Sequence, residues 1–127
     1  MDNPIDKITD SELEILKILW VNESPMTEKQ IRDTLKGRSD WKRTTIQTLV
    51  KRLVDKGIIL KDKKNIFHYV PAVTASELAK ARTEELLAKV FGGNAKNLVS
   101  SMLNNDILSK DDLDDLKNFW QDRRNDK

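Results

Sequence analysis

Apolar positions in the first half of the chain recur at helical spacing, broken by short polar stretches. Leu13, Leu16, Ile18, Leu19 and Trp20 form one apolar face. Thr9-x-x-Glu12 stands before it, a pair whose hydroxyl and carboxylate each accept the other's backbone N–H at a helix start. Ser24-Pro25 breaks that helix. Thr27-x-x-Gln30 opens a second, with Ile31 and Leu35 inward and Gly37 as its stop. Asp40 is the expected cap of a third helix with Trp41 at its beginning. There Ile46, Leu49, Val50, Leu53 and Val54 keep the spacing of one buried face, and Lys56-Gly57 ends the run.

The period then changes. Ile58 to Lys61 and Ile66 to Pro71 are short β-rich runs joined by the polar turn Asp62-Lys63-Lys64-Asn65, which predicts a hairpin. From Ala75 the pattern is helical again. One stretch runs to Gly92-Gly93, a second carries Leu98, Val99, Met102 and Leu103, and a third is capped by Ser109 with Asp112 three residues on. The fold class expected is mainly α: an N-terminal winged helix-turn-helix, three helices plus a β-hairpin wing, over residues 1–72. A C-terminal three-helix dimerisation module over 73–127 follows it.

Composition removes several functions. The chain has 127 residues, no cysteine and one histidine. Disulfides, thiolate metal sites and a cysteine nucleophile are excluded, and a transition-metal site would need an all-carboxylate shell. No Gly-rich phosphate loop and no nucleophile–base pair is present, so no enzyme and no cofactor are expected. His68 reads as a surface or cross-strand residue, and Trp20 and Trp120 as core or interface residues. With neither a signal peptide nor a membrane span, a cytoplasmic protein is expected.

Net charge is only +2, but its distribution is uneven. Residues 1–35 hold four Lys/Arg against eight Asp/Glu, 36–64 hold ten against three, and 65–127 hold nine against ten. The surplus of cations therefore lies on the third helix, its approach and the hairpin turn. A winged helix presents those parts to double-stranded DNA; the plainer reading is a solvated face. Candidate contacts are Lys42, Arg43, Thr44, Thr45, Gln47, Thr48, Lys51, Arg52, Lys63 and Lys64, with Lys61 beside them. Gln47 suits adenine and the threonine methyls suit thymine, Lys42 and Arg43 suit either a base or a phosphate, and Lys51, Arg52 and the wing lysines suit phosphates. For Trp41, a packing anchor and a base contact are both open.

The C-terminal half carries more apolar side chains than some fifty residues can bury alone. Leu86, Leu87, Val90, Phe91, Leu98, Val99, Met102, Leu103, Leu113, Leu116, Phe119 and Trp120 are the candidate homodimer interface. The other reading folds these helices back on the winged domain of a monomer. A pair would place two recognition helices about one DNA turn apart, for a palindromic site.

Three stretches resemble the penicillinase-repressor family, the repressors of β-lactamase and methicillin-resistance genes. They are Thr9-x-Ser11-Glu12-x-Glu14-x-Leu16-x-x-Leu19-Trp20, Asp40-Trp41-x-x-x-Thr45-Ile46-x-Thr48-Leu49-Val50-x-Arg52-Leu53-x-x-Lys56-Gly57, and Ile66-Phe67-x-Tyr69-x-Pro71. The resemblance implies a homodimer on an inverted-repeat operator. It also implies relief of repression when a membrane sensor protease triggers cleavage in the dimerisation helices, at a bond matching Ser101–Met102. Two positions depart from the pattern. Ser101 stands where the antibiotic-sensing members have Asn, and Gln47 where a basic side chain is common. The cysteine-rich tail of the copper-responsive branch is missing. A protein-interaction module and a ligand-responsive regulator are the alternative functions.

Overall fold

The computed structural model describes residues 4–63 and 65–125. After a 3₁₀ turn, Pro4–Lys7, come α1 (Asp10–Val21), α2 (Glu28–Leu35), α3 (Arg43–Asp55), β1 (Ile59–Lys63), β2 (Phe67–Pro71), α4 (Ala75–Phe91), α5 (Ala95–Asn104) and α6 (Lys110–Asn125).

Local chemistry fixes the helix starts. Thr9 with Glu12, Thr27 with Gln30, Thr74 with Glu77 and Ser109 with Asp112 each exchange the two hydrogen bonds of a capping box. Asn94 caps α5 by accepting from the Asn97 backbone N–H at 3.1 Å. The third helix begins later than its sequence suggests. Lys42, not Asp40, is its N-cap, and Trp41 precedes the helix rather than opening it. Ser39 explains the shift, because its hydroxyl accepts the Trp41 backbone N–H at 3.0 Å and holds that stretch as a turn. Gly57, at φ 75°, closes α3 in a conformation a side chain resists.

The wing is an antiparallel pair with Lys61 opposite Tyr69, Asp62 opposite His68 and Lys63 opposite Phe67. Asp62 and Lys63, expected in the turn, are thus strand residues, and Ile66 lies before β2. Met26 adds a bridge to Tyr69, donating at 3.1 Å and accepting at 2.8 Å, which pins the wing's root to the segment between α1 and α2.

The chain divides into two compact units, one ending at Arg82 and one beginning at Thr83. The first has a contiguous core. Ile15, Leu16, Ile31, Leu53, Ile58 and Ile59 are fully buried, with Leu19, Ile46, Leu49 and Val50 around them. Burial of each such side chain is worth about 1.5–3 kcal/mol. The unit reaches past residue 72 because Leu78 is buried in that core and Arg82 donates to the Ile8 carbonyl at 2.9 Å. Trp20 is half-buried and its indole N–H donates to the Val73 carbonyl at 2.8 Å. Among the described residues of the second unit, none in α5 or α6 is fully buried.

Candidate nucleic-acid interface

Helix α3 turns Ile46, Leu49, Val50 and Leu53 inward. That leaves Arg43, Thr44, Thr45, Gln47, Thr48, Lys51 and Arg52, with Lys42 before them, all exposed on its outer side. The Thr48 hydroxyl donates to the Thr44 carbonyl at 2.9 Å, so it presents outward an acceptor and a methyl rather than a free donor. Lys51 pairs with Asp55 at 3.0 Å, but both side chains are well exposed. A pair of that kind is worth about 0–1 kcal/mol and yields readily to a stronger anion.

Helix α3 is also the α-helix whose N-cap contributes no side-chain hydrogen bond, whereas the described starts of the other five each receive one. Its first-turn N–H groups are left for solvent or for an anionic ligand.

The wing meets this helix at its root. Gln47, Val50, Lys51, Val54 and Asp55 of α3 line one cleft together with Glu28 of α2, Lys61 of β1 and Tyr69 of β2. Burial raises the Tyr69 phenol above its ordinary range, and the Glu28 carboxylate adds to the effect. Further out, the exposed Phe67 ring carries Lys61 Nζ at 3.9 Å and Lys63 Nζ at 5.4 Å from its centroid. Alternation along the strands puts these three side chains on one face. The structure therefore brings Gln47 and Lys51 together with the wing root, and joins Lys63 to Lys61 through Phe67. Arg52 is exposed on α3 outside the cleft, and Lys64 lies outside the described residues.

Trp41 is half-buried against the core, as a packing anchor would be. His68 places Nδ1 2.9 Å from the Ile66 carbonyl. Among the described residues there is no group of three or more His, Asp or Glu suited to a metal, and no helix long and apolar enough to cross a membrane.

Two arrangements escaped the sequence reading. In the first, Glu12 is fully buried and Lys56 Nζ reaches both its carboxylate oxygens, at 2.6 and 2.9 Å, and the Lys7 carbonyl at 2.7 Å. Burial alone would raise the Glu12 carboxyl. The Lys56 ammonium and the Thr9 bonds outweigh that and hold it below the usual range. In the second, Arg32 and Leu35 of α2, Lys36 at its C-cap, Ser39 and Trp41 of the turn, and Arg43 and Ile46 of α3 line a notch. Nothing in the spacing of Arg32 and Lys36 marks them apart from an ordinary solvated helix face.

In the second unit, Leu86, Val90, Val99, Leu103, Leu116, Phe119 and Trp120 are exposed, at 63% and 58% for the last two. Leu87, Phe91, Leu98, Met102 and Leu113 are half-buried. The Ser101–Met102 bond lies in the last turn of α5, where the Ser101 carbonyl accepts from Asn105 and the Met102 carbonyl from Ile107 and Leu108.

Three helices, a two-stranded wing and an outer face lined by cations define the class: a winged helix-turn-helix domain of the DNA-binding type. The chain belongs to the penicillinase repressor family, which it matches over residues 8–122. It is 31% identical over 122 residues to the penicillinase repressor of Bacillus licheniformis, a match spanning 95% of this chain and 94% of that protein. Against the methicillin resistance regulatory protein MecI of Staphylococcus aureus the identity is 31% over 120 residues, spanning 94% and 97%. Among solved structures, the DNA-binding domain of the repressor BlaI matches with a TM-score of 0.52 at 34% identity, over 57% of this chain and 89% of that one. The monomeric form of Bacillus licheniformis BlaI in complex with the blaP half-operator matches with a TM-score of 0.50 at 33% identity, over 56% and 87%.

Proposed function

We propose that this protein is a cytoplasmic, sequence-specific transcriptional repressor that binds an inverted-repeat DNA operator as a homodimer. The observation that carries this reading is the cation surplus of residues 36–64 on the outer side of α3 and the wing. It persists when Lys56, drawn into its pair with Glu12, is set aside. The complex of the BlaI relative with a half-operator supports the same assignment. Gln47, Thr44, Thr45 and Thr48 read base edges, while Lys51, Arg52, Lys61, Lys63 and Lys64 hold phosphates and fix the register. Gln47 is a donor–acceptor amide suited to adenine, so the preferred operator differs from one read by a basic side chain at that place.

The exposed apolar side chains of α4 to α6 are the face that a second copy covers. Proteolysis at Ser101–Met102, prompted by an upstream sensor protease, would cut α5 within that face and return the protein to single chains. A half-site then loses the added affinity of a linked partner.

The test is selection from a randomised duplex pool, followed by fluorescence anisotropy across a KCl series. The reading expects recovery of an inverted repeat and a log-linear fall in affinity with salt. Absence of any duplex affinity at low salt refutes it. Loss of a protein partner but not of DNA on substituting Lys51 and Arg52 would instead make the domain an interaction module.

A further inference from the structure

The notch between α2 and α3 lies beside the residues assigned to base reading, and its chemistry points in one direction. Arg32, Lys36 and Arg43 bring three cations to a single depression, with Ser39 supplying a hydroxyl and Trp41 and Ile46 an apolar wall. Lys36 has an acidic neighbour, Asp33 at 3.3 Å, in a well-exposed pair that gives up its cation readily. Arg32 differs. Its Nε–H is buried and has no hydrogen-bond partner. A buried guanidinium donor left unpaired is costly, so such groups are normally engaged, and a planar fork with one arm unfilled is matched by a tetrahedral oxyanion. Arg43 opens α3, the helix whose first turn receives no side-chain cap. The notch and those N–H groups thus face the same kind of ligand from adjoining elements.

We propose that this notch is a phosphate site, filled by one backbone phosphate of the duplex that α3 reads. The assignment rests on the DNA-binding reading above and adds Arg32, Lys36 and Ser39 to the interface. Arg32 is a positioning residue within it: it locks a phosphate at the entrance of α3 and so sets how deep Gln47 and the threonines reach. A contact of this kind carries no base information.

Two measurements on the full chain test the site. With arginine Nε labelled by ¹⁵N, the Arg32 Nε–H resonance is expected to shift on addition of duplex. In anisotropy titrations, Arg32→Gln is expected to lower affinity about tenfold, for selected and scrambled duplexes alike, as loss of one charged hydrogen-bonded contact implies. The slope of log affinity against log salt should fall by about 0.9. Arg32→Lys keeps the charge but not the fork, and should restore the slope with only part of the affinity. Lys36→Gln, at the exposed rim, cannot disturb the core and should lower affinity by a smaller factor in the same sequence-independent way.

If the wild type binds duplex while the Arg32 resonance stays put and neither Arg32→Gln nor Lys36→Gln changes the slope, the notch assignment is overturned and the DNA-binding reading survives. If the wild type binds no duplex at low salt, both fall. A resonance that responds to inorganic phosphate and not to duplex overturns the assignment to DNA.

Discussion

Glu12 does two jobs from one buried position. Its carboxylate closes the capping box of α1 and also receives the ammonium of Lys56, tying the start of α1 to the end of α3. The first job is local and follows from a three-residue spacing. The second joins positions 44 residues apart and leaves no periodic trace, so Lys56 reads in the sequence only as a basic helix end. Removing one partner of such a pair leaves a charge buried without compensation. Lys56→Met is therefore expected to lower unfolding free energy by about 3–5 kcal/mol at neutral pH, measured by urea denaturation followed through tryptophan fluorescence. The pH dependence has a definite sign. Because the folded-state pKa of Glu12 is depressed, its contribution is complete above the ordinary carboxylate range and is lost as the pH falls through the depressed value. In the variant only the Thr9 bonds still oppose burial, so Glu12 takes up its proton at higher pH than in the wild type. The gap between the two proteins should accordingly narrow as the medium is acidified; a gap constant with pH would show that Lys56 acts through packing. Gly57→Ala, at φ 75°, should cost about 1 kcal/mol in the same assay.

At the scale of the element, capping chemistry was the most legible part of the chain. Thr9 and Thr27 stand where a hydroxyl-to-carboxamide or hydroxyl-to-carboxylate spacing places them, and Ser109 follows the same rule with an aspartate. The start of α3 was misplaced because Asp40 looks like a cap, while the Ser39 hydroxyl takes the Trp41 N–H and leaves Lys42 at the boundary. The wing was recognised, but its first strand runs two residues further than its polar residues suggested, while Ile66 falls outside the second. Asp62 and Lys63 are polar because strand positions on an exposed two-stranded ribbon face water, and that polarity imitates a turn. The pairing gives Phe67 a role no spacing rule reveals, holding two ammonium groups over one ring. Cation–π contacts at exposed sites are worth about 0.5–1 kcal/mol each. Phe67→Leu should thus weaken duplex binding by a few-fold in anisotropy titrations, and Phe67→Tyr should leave it near wild type. Equal affinity for the leucine variant would mean the lysines need no such support.

For the whole molecule, amino-acid composition alone is misleading: a net +2 conceals a cation-rich segment between two acidic ones. Segment counts singled out the cation-rich face of α3 and the wing, and passed over the α2 notch, where Arg32 falls in the segment counted as acidic. The C-terminal helices were legible as helices, and many of their apolar side chains are exposed in the chain by itself, the ones that the proposed homodimer would cover. Phe119→Asp, at an exposed position, should leave the fold of the first unit intact. In sedimentation it should weaken self-association by at least about 2 kcal/mol, near thirtyfold, if the ring sits at the centre of a subunit contact. Undiminished dimer would move that contact elsewhere. The grip of Lys56 on three oxygens has a practical corollary for reagents that acylate amines. Lys51, with most of its side chain in water, should react at once. Lys56 Nζ is occupied by Glu12 and the Lys7 carbonyl, so its labelling should wait for the N-terminal unit to open. Followed by mass spectrometry, the lag between these two amines becomes a clock for unfolding events that leave no other mark.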